Sequence, residues 1–292
     1  MPWEASSCEH AEVMVTEHTA DRLPDALKDP AVLTGVPVPV DGARRQVAVF
    51  LDYDGVLTPI VPRPQDAVMS EGMRAIVRAL ADRCPVCVVS GRDRGVVTEL
   101  MGLDELIVAG SHGFDIYDPR TGPVVHEASR GWEELVAAVT RSVQDEAAAI
   151  EGTQVEPKHA SVALHYRHVA EADVPRVDTL VAAVLAEHPD QLKIMPGKLV
   201  YEIQPKIDWN KGKAVEHLLE VLDLAGDHVL PIYLGDDVTD EDAFRALDAR
   251  GNGVGILVID PDDAPERETA ASAVLRSVDE VGRFLDGLAR DP

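Results

Sequence analysis

Four short clusters combine carboxylates, a lysine, a hydroxyl and a guanidinium where such groups can do chemistry. They are Asp52-Tyr53-Asp54-Gly55, Ser90-Gly91-Arg92, Asn210-Lys211-Gly212 and Gly235-Asp236-Asp237, the last followed by Asp240. An Asp-x-Asp-Gly by itself is ordinarily a solvated turn. Here it directly follows the apolar run 47–51, and charge at the end of a buried segment costs several kcal/mol unless a cation or hydrogen bonds satisfy it. Asp236 and Asp237 make the same demand after a second apolar run, 230–234. Two acidic pairs that converge repel each other unless a hard cation lies between them. Mg²⁺ suits one or two carboxylates completed by water and a substrate phosphate, so a single Mg²⁺ is expected.

Such clusters work only if the fold brings them together. Runs 47–51, 86–89, 106–109, 230–234 and 254–258 read as short buried strands. Between them Met73, Ile76, Val77 and Leu80 recur at helical spacing, as do Val96, Val97, Leu100 and Met101, and further helices are expected at 211–224, after Thr239 and at 278–288. The alternation predicts an α/β fold, a Rossmann-like parallel sheet with helices on both faces. Ligands bind such sheets at the carboxyl ends of the strands, where three of the clusters fall. From 127 to 204 the rhythm changes: helices at 135–150 and 177–185, and strand-like pieces at 162–166, 192–195 and 199–203. Pro196-Gly197 is expected to turn a hairpin there. The reading is a mixed α/β domain at 127–204 inserted into a core of 44–126 and 205–292. Residues 1–43, acidic and carrying Pro24, Pro30, Pro37 and Pro39, read as an N-terminal arm.

A formal net charge of -25 repels nucleic-acid phosphates and anionic lipid, so neither is an expected partner. Any phosphate site must make its own local positive potential. Three cysteines form no disulfide framework, and the odd count fits a reducing, cytoplasmic setting. Cys84 and Cys87, beside a buried strand and three apart, are expected to face opposite sides of the sheet rather than share a metal. The N-terminus has no signal-peptide pattern, and no apolar stretch is long enough to span a bilayer.

The order of the four clusters resembles the haloacid dehalogenase superfamily, over nearly all of the chain after residue 43. The resemblance implies a nucleophile at Asp52, a general acid and base at Asp54, and phosphate contacts from Ser90, Gly91 and Arg92. It also implies a charge stabiliser at Lys211 and a metal site from Asp52, Asp54 and Asp236. Asp237 and Asp240 are expected behind the ligands, fixing Lys211 or Asp236. Lys213 competes for the lysine role; Lys211 is preferred because Asn-Lys-Gly matches the pattern and a helix start lets it reach back to the strand ends.

Within that superfamily the chain resembles the trehalose-6-phosphate phosphatases. The residues that carry this are Ala109-Gly110-Ser111-His112-Gly113, Glu156 with Lys158, Ser161 and His165-Tyr166-Arg167, Gly197-Lys198 with Glu202, and Gly212-Lys213-Ala214-Val215. The resemblance implies that the inserted domain is a cap closing over a phosphosugar, with Glu156, Arg167, Lys198 and Glu202 bonding the sugar hydroxyls. A site selecting a sugar needs such charged donors and acceptors, because leaving them unpaired penalises the wrong ligand. The bland alternative is that all four form solvated surface pairs. The implied reaction is hydrolysis of trehalose 6-phosphate in trehalose biosynthesis, with a separate synthase chain supplying substrate. Sucrose phosphate, mannosyl-phosphoglycerate or a phosphomannomutase reaction are the alternatives. Gln204 departs from the family's usual arginine, and Val56 from its commoner threonine.

Overall fold

The computed structural model describes residues 18–29, 31–36, 45–126, 131–197, 199–259 and 267–290. In chain order the first elements are β1 (His18–Thr19), α1 (Ala31–Thr34), β2 (Gln46–Leu51), α2 (Glu71–Ala81), β3 (Val86–Val89), α3 (Arg94–Met101), β4 (Ile107–Gly110), β5 (Asp115–Asp118) and β6 (Gly122–Val124). An inserted run follows: α4 (Glu133–Ala147), β7 (Gln154–Pro157), β8 (Val162–His165), α5 (Val174–Glu187), β9 (Leu192–Gly197) and β10 (Val200–Pro205). The core resumes with α6 (Lys211–Val221), β11 (Val229–Gly235), α7 (Glu241–Arg250), β12 (Val254–Val258), β13 (Glu268–Thr269), β14 (Ala273–Leu275) and α8 (Val278–Arg290).

The core sheet has the order β14-β12-β11-β2-β3-β4-β5-β6, parallel from β14 to β4 and antiparallel beyond. Its parallel strands are continuous apolar runs because both faces are covered. Val47, Val49 and Leu51 of β2 pack with α2, α3 and α8, while Ala48 and Phe50 pack with α6 and α7. Strand β2 lies between β3 and β11, so the chain leaves it to one side first and returns on the other. That makes the carboxyl end of β2 the switch point of the sheet, where a crevice opens. Cys84 and Cys87 are free and buried on opposite faces, and burial pushes their thiols up to about 11 and about 12.

The inserted sheet, β7-β8-β10-β9, is antiparallel throughout. One face buries Leu164 and Ile203 against Val139 and Val143 of α4 and Val177 and Leu180 of α5. The other carries Glu156, Ala163 and Glu202 side by side, since Glu156 pairs with Ala163 and Ala163 with Glu202. Directly opposed residues of an antiparallel pair point to the same face.

Several details depart from the sequence reading. Pro196 and Gly197 lie within β9, paired with Tyr201 and Val200, rather than in the hairpin turn. Strands β5, β6 and β7 carry too few apolar residues in too short a run to register as strands. The described part of the N-terminal stretch, read as an arm, lies on the core: β1 pairs with β13, Ala26 N–H donates to the Val274 carbonyl at 2.9 Å, and Ala20 and Leu23 are buried. Its apolar residues are spaced for an irregular path along a sheet edge, so no period betrays them. No helix among the described residues is long and apolar enough to cross a membrane.

Candidate active site

Asp52 is the first residue beyond β2, and β11 fixes its register through an N–H donated to the Leu234 carbonyl at 2.9 Å. Its Oδ1 accepts from the Tyr53 N–H at 2.7 Å and its Oδ2 from Lys211 Nζ at 2.9 Å. Local sequence aims the lysine. Asn210 caps α6, its Oδ1 accepting from the Lys213 N–H at 2.9 Å, so Lys211 becomes the first helical residue. Lys211 is only 2% exposed and also donates to Asp240 Oδ1 at 2.6 Å. Lys213 instead turns outward and pairs with Asp208.

Asp240 spends its oxygens on other work. Oδ1 accepts from Lys211 and from the Tyr233 hydroxyl at 2.6 Å, and Oδ2 accepts the backbone N–H groups of Asp236 and Asp237 at 3.0 and 2.9 Å. Although its carboxylate lies within 4.8 Å of those of Asp52 and Asp236, the lone pairs a metal would need are already committed. Asp240 therefore holds the lysine and shapes the turn that carries Asp236. Asp237 is exposed and accepts from the Val238 N–H at 2.6 Å, which starts that turn.

Three carboxylates crowd one lysine here. Burial raises the Asp52 carboxyl to about 7, against the pull of Lys211, and burial together with Asp52 and Asp240 raises Asp236 to about 8. Burial works against charge on Asp240 and Lys211 as well, but their contact overcomes it, lowering the one and raising the other. Of the carboxylates sharing Lys211, Asp240 thus claims it, and Asp52 and Asp236 are left facing each other. Gly55 (φ 72°) brings the backbone after Asp54 against Asp236, where a Cβ would stand 2.1 Å from Oδ2. An all-oxygen donor set in a glycine-lined cradle fits a hard divalent cation.

A pH dependence follows. With the metal chelated, both carboxyls keep protons in the folded chain that the unfolded chain, titrating near 3.8, has released. The folded state holds more protons across roughly pH 4 to 8, so stability should fall as pH rises through that window. Thermal melts in chelator are expected to drop from pH 5 to pH 8. A drop undiminished in Asp236→Asn would remove Asp236 as a source.

At the mouth, Arg92 grips both oxygens of Asp54 at 2.6 and 2.7 Å, donates to the Pro64 carbonyl at 2.9 Å and lies 5.9 Å from the Tyr53 ring centroid. Ser90 is buried beside it, and Gly91 leaves room for the His112 ring, whose Cε1 would be 2.7 Å from a Cβ there. Ser111 (φ 50°) and His112 (φ 57°) are both left-handed, a strained pair held by N–H bonds to the Arg92 and Ser90 carbonyls at 2.7 and 2.8 Å. Burial and the nearby Lys211 lower His112 to about 4, leaving it neutral. Its motif was visible in the sequence, but its place between Lys211 and the inserted sheet was not.

That sheet turns its polar face toward this mouth. Glu202 accepts from Lys158 Nζ at 3.1 Å and Ser161 Oγ at 2.7 Å; burial would raise its pKa, and these partners lower it instead. Glu156 pairs with His165 Nε2 at 2.8 Å. Arg167 is exposed after β8, with no hydrogen bond or ion pair among the described residues, so it is not gathered with the carboxylates. Lys198 lies outside the described residues. Lys158 was named for the family resemblance but not as a contact, and Asp93 was not singled out. Asp93 Oδ1 accepts from Ser111 Oγ at 2.7 Å and from the His159 N–H at 3.4 Å, joining core to insertion.

A buried aspartate at the switch point of a haloacid dehalogenase fold is bridged by lysine to a second aspartate and faced by a third. The chain belongs to the trehalose-phosphatase family, whose sequence model matches residues 50–279. A probable trehalose-phosphate phosphatase of Oryza sativa subsp. japonica is 41% identical over 282 residues, 89% of this chain and 72% of that protein. A trehalose 6-phosphate phosphatase of Zea mays is 39% identical over 301 residues, 99% of this chain and 79% of that protein. A solved Aspergillus fumigatus trehalose-6-phosphate phosphatase superposes with a TM-score of 0.61 at 27% identity, covering 92% of this chain and all of that one.

Proposed function

We propose that this chain hydrolyses trehalose 6-phosphate to trehalose and phosphate, using Mg²⁺ and an acyl phosphate formed transiently on Asp52. The observation that carries it is the Lys211 bridge between Asp52 and Asp240 at the switch point, with the Glu202 cluster of the inserted sheet turned toward it. The division that goes with it is a core of 44–126 and 205–292 and a cap of 127–204.

Asp52, Asp236 and the backbone carbonyl of Asp54 would hold Mg²⁺, which when bound neutralises charge on the phosphoryl oxygens. Lys211 supplies a fixed positive charge, held by Asp240 so that no reorganisation is needed as charge develops. Asp52 attacks phosphorus, and the P–O bond to the sugar breaks as the Asp52–P bond forms. Asp54 gives its proton to the departing sugar oxygen and then takes one from the water that frees Asp52. For that, the Arg92 grip on Asp54 must open, and a phosphate arriving beside Arg92 offers the guanidinium a replacement partner. Ser90 and the backbone at Gly91 line the same phosphate subsite.

Sugar recognition falls to the cap. Glu156, Arg167, Lys198 and Glu202 remain the proposed contacts, and Glu202, half-buried and already held by Lys158 and Ser161, is the best placed of them. Glu202→Ala is expected to lower kcat/KM on trehalose 6-phosphate roughly ten- to a hundredfold, from about 1.5 to 3 kcal/mol of lost charged hydrogen bonds. Hydrolysis of a small aryl phosphate, which needs only the core, should change far less. Equal losses on both substrates would point to damaged folding or closure, and no loss on either would return Glu202 to a surface role. Better turnover of sucrose phosphate or mannosyl-phosphoglycerate would overturn the substrate while leaving the Asp52 chemistry standing.

A further inference from the structure

We infer that Arg267 is a positioning residue for the metal site, and that the N-terminal strand β1 sets its register. The inference rests on the reading of Asp236 as a metal ligand. Both peptide groups flanking the Asp236 Cα are pinned. The preceding one gives its N–H to Asp240 Oδ2 at 3.0 Å. The following one is held at both ends, its N–H, which belongs to Asp237, by the same oxygen at 2.9 Å and its carbonyl by Arg267 Nη1 at 2.5 Å. With φ and ψ both fixed, the carboxylate of Asp236 has only its side-chain torsions left to choose. Asp240 braces this turn from inside the site and Arg267 from outside.

Arg267 is itself held. Its Nη2 donates to Glu241 Oε1 at 3.2 Å, and the other oxygen of that buried glutamate accepts the Ala270 N–H at 2.9 Å. Its carbonyl accepts the Ala20 N–H at 3.0 Å, beside the pairs His18 with Thr269 and Thr19 with Glu268. Residues 18–20 thus anchor the backbone of Arg267, whose guanidinium orients Asp236, more than two hundred positions from that N-terminal segment in sequence. No cluster of acids or apolar period points to Arg267, because its role exists only through these long-range bonds.

The test is calorimetric titration of the full chain with Mg²⁺ alone, for wild type, Arg267→Ala, Arg267→Lys and Asp236→Ala, alongside thermal melts in chelator. Arg267→Ala is expected to weaken Mg²⁺ binding about ten- to a hundredfold, as loss of a group that orients a ligand does. Arg267→Lys keeps one charged donor and should recover part of that loss. Wild-type Mg²⁺ affinity in Arg267→Ala overturns the inference, whatever the melting temperature does; if that variant does not fold, wild-type affinity in Arg267→Gln overturns it equally. Undiminished binding in Asp236→Ala would instead overturn the metal-site reading beneath it.

Discussion

Asp52→Asn is expected to leave substrate binding nearly intact and to abolish turnover, with a loss on the order of 10⁶-fold, as when a covalent nucleophile is removed. The amide keeps the shape of the carboxylate, but its single oxygen can accept only one of the two donors that Asp52 now takes on separate oxygens, the Tyr53 N–H on Oδ1 and the Lys211 ammonium on Oδ2. Lys211 also keeps its 2.6 Å contact with Asp240, so the buried lysine is not stranded and the fold should survive. What disappears is the charged oxygen that attacks phosphorus. Purified Asp52→Asn retaining substantial steady-state turnover, with contaminating wild type excluded, would take the nucleophile's role from Asp52.

Removal of the metal is the second large effect. Chelation should silence the enzyme and Mg²⁺ should restore it, and Asp236→Ala should behave like the chelated wild type. The lost charge stabilisation is worth several kcal/mol, roughly a 10³-fold fall in kcat. The physical basis is the imbalance at the switch point: Asp240 claims Lys211, so Asp52 and Asp236 face each other with burial already pushing both carboxyls up. Full activity after dialysis against excess chelator would show that the cluster is neutralised in another way.

How much of this could be read from the sequence depended on range. The buried strands were legible because a run such as 47–51 is apolar at every position, which only a doubly covered strand requires. The clusters at Asp52, Ser90 and Asp236 were legible because each directly follows such a run. Lys211 could be preferred over Lys213 because Asn-Lys-Gly matches the family pattern at a helix start, and in the structure Asn210 caps that helix. Contacts made across the fold left no such trace. That Arg92 grips Asp54 rather than standing free, that Asp240 is saturated by four donors, and that Arg267 braces Asp236 all depend on segments far apart in sequence. Strand β7 escaped notice for a different reason. Gln154, Val155, Glu156 and Pro157 form an edge with one apolar side chain, so nothing in their order distinguishes a strand from a loop. The described part of the N-terminal stretch follows the sheet edge without regular structure long enough to impose a period.

If phosphate passes through Asp52, it can be trapped there. Asp54→Asn lacks the group that activates water, so release from Asp52 should be slow. An aryl phosphate has a leaving group that needs no proton, so the first step should still proceed in that variant. Acid quenching followed by peptide mass analysis is then expected to find one phosphoryl group on the peptide containing Asp52, absent when Asp52→Asn is added. A phosphoryl group on any other residue, or none on Asp52 while the variant releases a burst of the aryl alcohol, would contradict the mechanism.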